Sequence, residues 1–184
     1  MPFTYILLGI GALIIAVLIL IYNSLVSKRN RIEEAWSDIE VQMKRRFDLI
    51  PNVVETVKGY AAHEKSVLEN VTKARTQAMG AHTPQEHAQA ENMLAGTLKT
   101  LFAVAENYPD LKANVNFLDL QRELADTETK IQSSRRFYNG NVRDYNTLLQ
   151  SFPTNMIGGM FRFMKREFFD LEEEQAREPV KVRF

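Results

Sequence analysis

The chain has 184 residues, 45% of them hydrophobic, with 23 Lys plus Arg balanced by 23 Asp plus Glu and no cysteine. That length suits one domain with an extra segment, and there is enough apolar material for a full core. Neutral charge speaks against a nucleic-acid binder, which carries a basic excess, and a cysteine-free chain has no disulfide, no thiolate metal site and no cysteine nucleophile.

From Phe3 to Tyr22 no residue is charged, and Ile6 to Ile21 is built of Ile, Leu, Val, Ala and Gly. About 20 such residues at ~1.5 Å rise span a ~30 Å hydrocarbon core, with Tyr5 and Tyr22 at the two ends where amphipathic rings favour the interface. Met-Pro-Phe-Thr-Tyr ahead of the run carries no Lys or Arg, and Tyr22-Asn23-Ser24-Leu25 behind it is no small-x-small cleavage site. The expectation is therefore an uncleaved anchor and not a signal peptide. Lys28, Arg29 and Arg31 follow the span. Positive residues stay on the cytoplasmic side, so the N-terminus is expected outside and the remainder of the chain in the cytoplasm.

Apolar residues then recur at Leu25, Ile32, Ile39, Met43, Phe47 and Ile50, one face of a helix that continues the span without a breaker. Trp36 falls between Ile32 and Ile39 and reads as a core or interhelix anchor. Pro51 is expected to end or kink this helix. The stripe resumes through Val53, Val57, Ala61, Leu68, Val71, Ala74 and Ala78, leaving Lys44, Lys58, Lys65 and Lys73 on wet faces. Gly80 marks a stop. Thr83, Pro84 and Glu86 read as N-cap, first helical position and capping-box partner.

A further helix runs through Leu94, Leu98, Leu101 and Ala105 to the corner Asn107-Tyr108-Pro109-Asp110. Here Pro109 pushes Tyr108 to extended geometry. Asn107 is expected to close the preceding helix in the left-handed conformation, and Asp110 to cap the next one. The corner is read as structural and not catalytic. The longest stripe follows, Phe117, Leu120, Leu124, Thr127, Ile131, Ser134, Tyr138, Val142, Tyr145 and Leu149, up to Phe152-Pro153. Helical patterning throughout, with short links and no strand-like alternation, predicts an all-α fold: an N-terminal transmembrane helix running into an antiparallel bundle of about four long helices. The expected divisions are an anchor at 1–24, a cytoplasmic bundle at 25–155, and a segment at 156–184 that is first aromatic and basic, then acidic. Gly158-Gly159 is expected to open a hinge before that segment.

The stretches YNSLVSKRNRIEEAWSDIEVQMKRRFDLIPNVVETVKGYAAHE (22–64), AVAENYPDLKANVNFLDLQRELADTETKI (103–131) and RRFYNGNVRDYNTLLQSFPTN (135–155) resemble the LemA family of bacterial membrane-anchored proteins. The resemblance covers nearly the whole chain. It implies a bundle of bromodomain-like, mirror up-and-down topology behind one N-terminal span, with the N-terminus outside. It implies no catalytic residue. One branch of the family is tied to magnetosome membrane formation, which points to membrane organisation. Phe47 stands where Tyr is more usual, and Gly140-Asn141 where an acidic or small residue is common.

Chemistry finds little foothold. His63, His82 and His87 form neither His-Glu-x-x-His nor Glu-x-x-His, the helical metal signatures, and no phosphate-cradling glycine motif or nucleophile elbow occurs. No metal, cofactor or catalytic residue is expected. Arg45, Arg46, Asp48 and Glu55 near Pro51, with Arg135, Arg136, Tyr138 and Asn139 in the last helix, read as interhelical polar pairs, because buried charge needs partners. A ligand cleft between them is the alternative. Phe161, Arg162, Phe163, Lys165, Arg166, Phe168 and Phe169 have three possible destinations: their own bundle, the cytoplasmic leaflet or another subunit. Membrane or subunit contact is favoured, since the stripe ends at Pro153. The function expected is a non-enzymatic, membrane-anchored scaffold. It self-associates and contacts other membrane proteins or the leaflet. The alternative is a membrane-tethered small-ligand sensor using interhelical Arg, Tyr and Glu residues.

Overall fold

The computed structural model describes residues 2–169, and the acidic tail anticipated beyond them lies outside the described residues. The described chain is helical, without strands: α1 (Pro2–Tyr60), α2 (Lys65–Met79), α3 (Pro84–Ala105), α4 (Pro109–Lys112), α5 (Val115–Gln150) and α6 (Thr154–Met160). This is the all-α fold that the patterning predicts. The chain divides into two compact units, residues 2–43 with 129–167 and residues 44–128 with 168 and 169, so α1 and α5 contribute to both. In the first, Leu25, Ile32, Ala35 and Ile39 of α1 and Ile131, Tyr138, Val142 and Tyr145 of α5 are buried. In the second the core is Phe47, Ile50, Val53 and Val57 of α1, Leu68, Val71 and Ala74 of α2, Leu94, Leu98 and Leu101 of α3, and Phe117 and Leu124 of α5.

Pro51 does not end the first helix: α1 passes through it to Tyr60. A proline has no N–H to give to the carbonyl four residues back, which here belongs to Phe47. That carbonyl finds its partner on α2, where the Arg75 guanidinium donates Nε–H at 2.7 Å. The break comes instead at Ala61–Glu64, just after Gly59, and α2 begins at Lys65. The expected capping box at Thr83 forms: the Glu86 N–H donates to Thr83 Oγ1 at 3.1 Å, and the Glu86 carboxylate accepts from the His82 and Thr83 N–H groups. Those two backbone hydrogen bonds hold the Glu86 carboxyl below its ordinary pKa.

The 106–114 corner takes two steps. Tyr108 is extended and Pro109 opens the single turn α4, as its ring requires, but Asn107 is not left-handed: among the described non-glycine residues only Arg162 has a positive φ. Asp110 lies in the first turn of α4, and α5 is capped by Asn114, whose Oδ1 accepts from the Phe117 N–H at 3.0 Å. The extra turn moves the capping duty four residues downstream. This corner is fastened to the end of α1 and to the link after it: the Asn114 amide donates to the Tyr60 hydroxyl at 3.0 Å, and the Tyr108 hydroxyl donates to Glu64, just before α2, at 3.1 Å. Desolvation and the Glu64 carboxylate hold the Tyr108 phenol above its ordinary pKa.

Gly158 and Gly159 are not a hinge but part of α6, a helix that runs across position 155. Gly158 is buried, and a Cβ there would collide with Leu149 Cδ1, so its lack of a side chain lets α6 close on α5. Arg162 then ends α6 at φ 55°. Its N–H donates to the Gly159 carbonyl at 3.2 Å and the Phe163 N–H to the Gly158 carbonyl at 2.8 Å, the two bonds of a Schellman cap with arginine in the place glycine usually takes.

Candidate functional site

After α6 the chain leaves the helical conformation, and residues 163–167 form a strap along α5. Tyr138, Tyr145 and Asn146 stand seven and eight residues apart on α5, two helical turns on one face. All three grip main chain. Tyr138 Oη donates to the Glu167 carbonyl at 2.9 Å, and Tyr145 Oη donates to the Met164 carbonyl at 3.1 Å. The Asn146 amide pairs with both backbone groups of Arg166, donating to its carbonyl and accepting from its N–H, each at 2.9 Å. Burial raises both phenols above the ordinary tyrosine pKa, the nearby Arg166 guanidinium offsetting part of the shift.

Side chains secure the strap from α1. Phe161 and Phe163 place their ring centroids 4.8 and 5.7 Å from that of Tyr22, the Arg29 guanidinium lies 5.7 Å over the Phe163 ring, and Arg166 pairs with Glu33 at 2.8 Å. Trp36 meets Tyr138 at 5.5 Å between centroids and donates its indole N–H to Glu40. The strap therefore sits beside Tyr22, the residue that closes the apolar run of α1. That run is the one stretch among the described residues long and apolar enough to cross a membrane, and its most apolar part is not buried by the protein.

The other unit holds a charged node. Arg46 Nη1 donates to Glu91 of α3 at 2.9 Å and to Glu128 of α5 at 2.7 Å. Arg46 and Glu91 are buried, and Glu128 lies partly exposed on a groove of about 340 Å³ with Leu98, Lys99, Phe102 and Leu124. Arg45, one residue away and outward, reaches Glu123 at 3.6 Å and Asp126 at 3.7 Å. Among the described residues no cluster of three or more His, Asp or Glu side chains is placed to hold a metal ion. Where two carboxylates converge, a guanidinium already stands between them.

The expected polar set thus separates. Arg46 and Tyr138 are buried and bonded, and Arg45 bridges α1 to α5 at the surface. Asp48 and Glu55 are exposed on the outer face of α1, seven residues apart, and Glu55 pairs along its own helix with Lys58 at 3.2 Å. Arg136 is exposed and reaches Ser133 within α5, while Arg135 is half-buried. Glu91 and Glu128 escaped the sequence reading, because nothing local distinguishes them from surface glutamates on a helix. Within the terminal segment the main chain lies on its own bundle, while Phe161, Arg162, Lys165, Arg166 and Phe168 keep exposed side chains. Phe169 is fully buried, so it offers no face to lipid or partner.

A sequence model of the LemA family matches residues 35–184. Among curated proteins the chain is 27% identical over 164 residues to Protein LemA of Metamycoplasma hominis, covering 87% of this chain and 71% of that protein. It is 25% identical over 181 residues to Magnetosome protein MamQ 2 of Paramagnetospirillum magneticum, and 23% identical to Magnetosome protein MamQ of Magnetospirillum gryphiswaldense, covering in each case 84% of this chain and 66% of the relative. The chain spans about two thirds of the length of these magnetosome relatives. A family match over most of the sequence, joined to an exposed apolar helix that runs into the folded part, makes this chain a member of the LemA family and a membrane-anchored protein.

Proposed function

We propose that the protein is a non-enzymatic scaffold of the inner membrane, its N-terminus outside and its helical units in the cytoplasm, which self-associates and gathers other membrane proteins. The observation that carries this reading is α1 itself. One unbroken helix bears the exposed apolar run and then the buried positions from Leu25 to Val57, so the anchor and the fold share an element without a flexible joint. Lys28, Arg29 and Arg31, just past the span, favour the cytoplasmic side for the folded part. Relatives named as magnetosome proteins are consistent with work at a membrane surface.

Cross-linking and multi-angle light scattering of the full chain in mild detergent test self-association, and a strictly monomeric particle refutes it. Protease added to intact spheroplasts tests orientation, since digestion of the helical units from outside reverses the topology. The second reading, a tethered small-ligand sensor, rests on the groove beside Glu128. A thermal-shift screen checks it, because a ligand at 100 times its dissociation constant stabilises by ~2.7 kcal/mol.

A further inference from the structure

We propose that the outward face of α6, continued by the strap, is an interfacial platform that lies in the headgroup layer of an anionic bilayer beside the emerging α1. This deepens the proposed function and rests only on its anchoring half, not on self-association or on orientation.

The first observation is the two-faced character of α6. Thr154, Ile157 and Gly158 turn inward and are buried. Phe152, just ahead of the helix, and Met156 and Met160 are 79%, 67% and 78% exposed. The four-residue spacing of Met156 and Met160 puts those two on one side of the helix. Scattered exposed apolar residues are ordinary on a protein surface, but here two share a helical face, with exposed Phe152 just before the helix and exposed Phe161 and Met164 just after it.

The second observation fixes the level of that face. The rings of Phe161 and Phe163 pack on Tyr22, where the uncharged run of α1 ends. A helix that leaves the hydrocarbon at Tyr22 therefore brings the end of α6 to the lipid–water boundary. The exposed apolar face is continuous with a surface that already requires lipid, which selects a bilayer over a soluble partner as its occupant.

Charge supplies the third. Arg162 at the end of α6, Lys165 on the strap, and Lys28 and Arg31 on α1 are cations at this end, the last two within ten residues of Tyr22. Apolar side chains on a surface-lying segment flanked by cations are what an anionic leaflet binds. The clamp of Tyr138, Tyr145 and Asn146 grips the main chain of the strap, so it holds the strap in place while leaving the exposed side chains of Met164 and Lys165 to face lipid.

A cysteine-free chain makes the test direct. Full-length Met156→Cys and Met160→Cys, with Asn92→Cys on α3 as an exposed control, are labelled with an environment-sensitive dye. They are then assembled into nanodiscs of phosphatidylcholine with and without phosphatidylglycerol, and co-elution with the discs reports anchoring separately. The expected result is blue-shifted emission at 156 and 160, quenched more by lipids with the nitroxide near the headgroup than near the chain end, and enhanced by phosphatidylglycerol. The control stays in water, and Lys165→Gln removes part of the phosphatidylglycerol effect. Anchored protein whose 156 and 160 labels are quenched no more than the control overturns the platform. So does protection that arises only in discs holding two copies, which assigns the face to a second chain. Failure to co-elute overturns the anchoring reading itself, and the platform with it.

Discussion

Around Arg46, three charged side chains from α1, α3 and α5 meet one another; around Tyr138 and Tyr145, neutral side chains of a single helix meet the main chain of a strap. The charged node demands a partner for each of its two buried members, Arg46 and Glu91, because a buried charge without one is costly. The neutral clamp demands nothing of the strap's side chains, since it reads only carbonyls and an N–H. The first arrangement fixes register among helices. The second fixes a path for a segment whose side chains can then serve something outside the fold.

The sharpest way to break that contrast is at the node. Arg46→Met leaves the buried Glu91 carboxylate without its guanidinium and should lower stability by about 3–5 kcal/mol, read as a shift of the urea midpoint by circular dichroism. Adding Glu91→Leu should restore much of the loss, because Glu128 lies near the surface and can be hydrated. A loss below about 1 kcal/mol for the single change would mean that the node behaves like an exposed pair.

A smaller effect is expected where α1 passes through Pro51. Arg75→Leu orphans the Phe47 carbonyl and should cost about 1–3 kcal/mol. In a Pro51→Ala background the same change should cost little, because the new amide at position 51 supplies the missing donor. Equal losses in both backgrounds would show that Arg75 acts elsewhere. This pair also marks a limit of the sequence. The apolar faces were legible: Leu25, Ile32, Ile39, Met43, Phe47 and Ile50 are all buried, because helical periodicity is local information. So were the anchor and the Thr83 cap. That α1 survives its proline depends on a side chain 28 residues away, and the node joins residues 45 and 82 apart. Such distant partners follow from topology and leave no trace in a local window. The strap was illegible for a related reason. A non-helical segment held through its backbone has no side-chain period to betray where it lies.

The clamp should respond locally. Asn146→Leu removes two backbone hydrogen bonds to Arg166, each worth about 0.5–1.5 kcal/mol. Trypsin should then cut at Arg162, Lys165 and Arg166 sooner, while the urea midpoint of the charged-node unit stays put. Alkaline pH should act in the same direction. Tyr138 and Tyr145 have raised folded-state pKa values, so the folded state holds their protons longer than the unfolded state does. Their contribution is complete below the ordinary value of about 10 and is lost as pH rises through the folded values. Trypsin sensitivity of the strap that shows no rise above about pH 10 would mean that the two hydroxyls do not hold it.

The smallest effect runs the other way. Arg162 holds a left-handed conformation that costs an L-residue roughly 1–2 kcal/mol, whereas glycine enters it freely but loses roughly 0.5–1 kcal/mol of chain entropy on folding. Arg162→Gly should therefore stabilise the end of α6 by about 0.5–1 kcal/mol, with Arg162→Asn between the two and Arg162→Val below the parent, since a β-branched residue tolerates this region least. Native-state hydrogen exchange at the Phe163 amide, the longer of the two cap bonds in sequence span, reads that order directly. If the Gly and Val variants exchange at the same rate, the cap does not set the path of the strap, and the clamp on α5 does so alone.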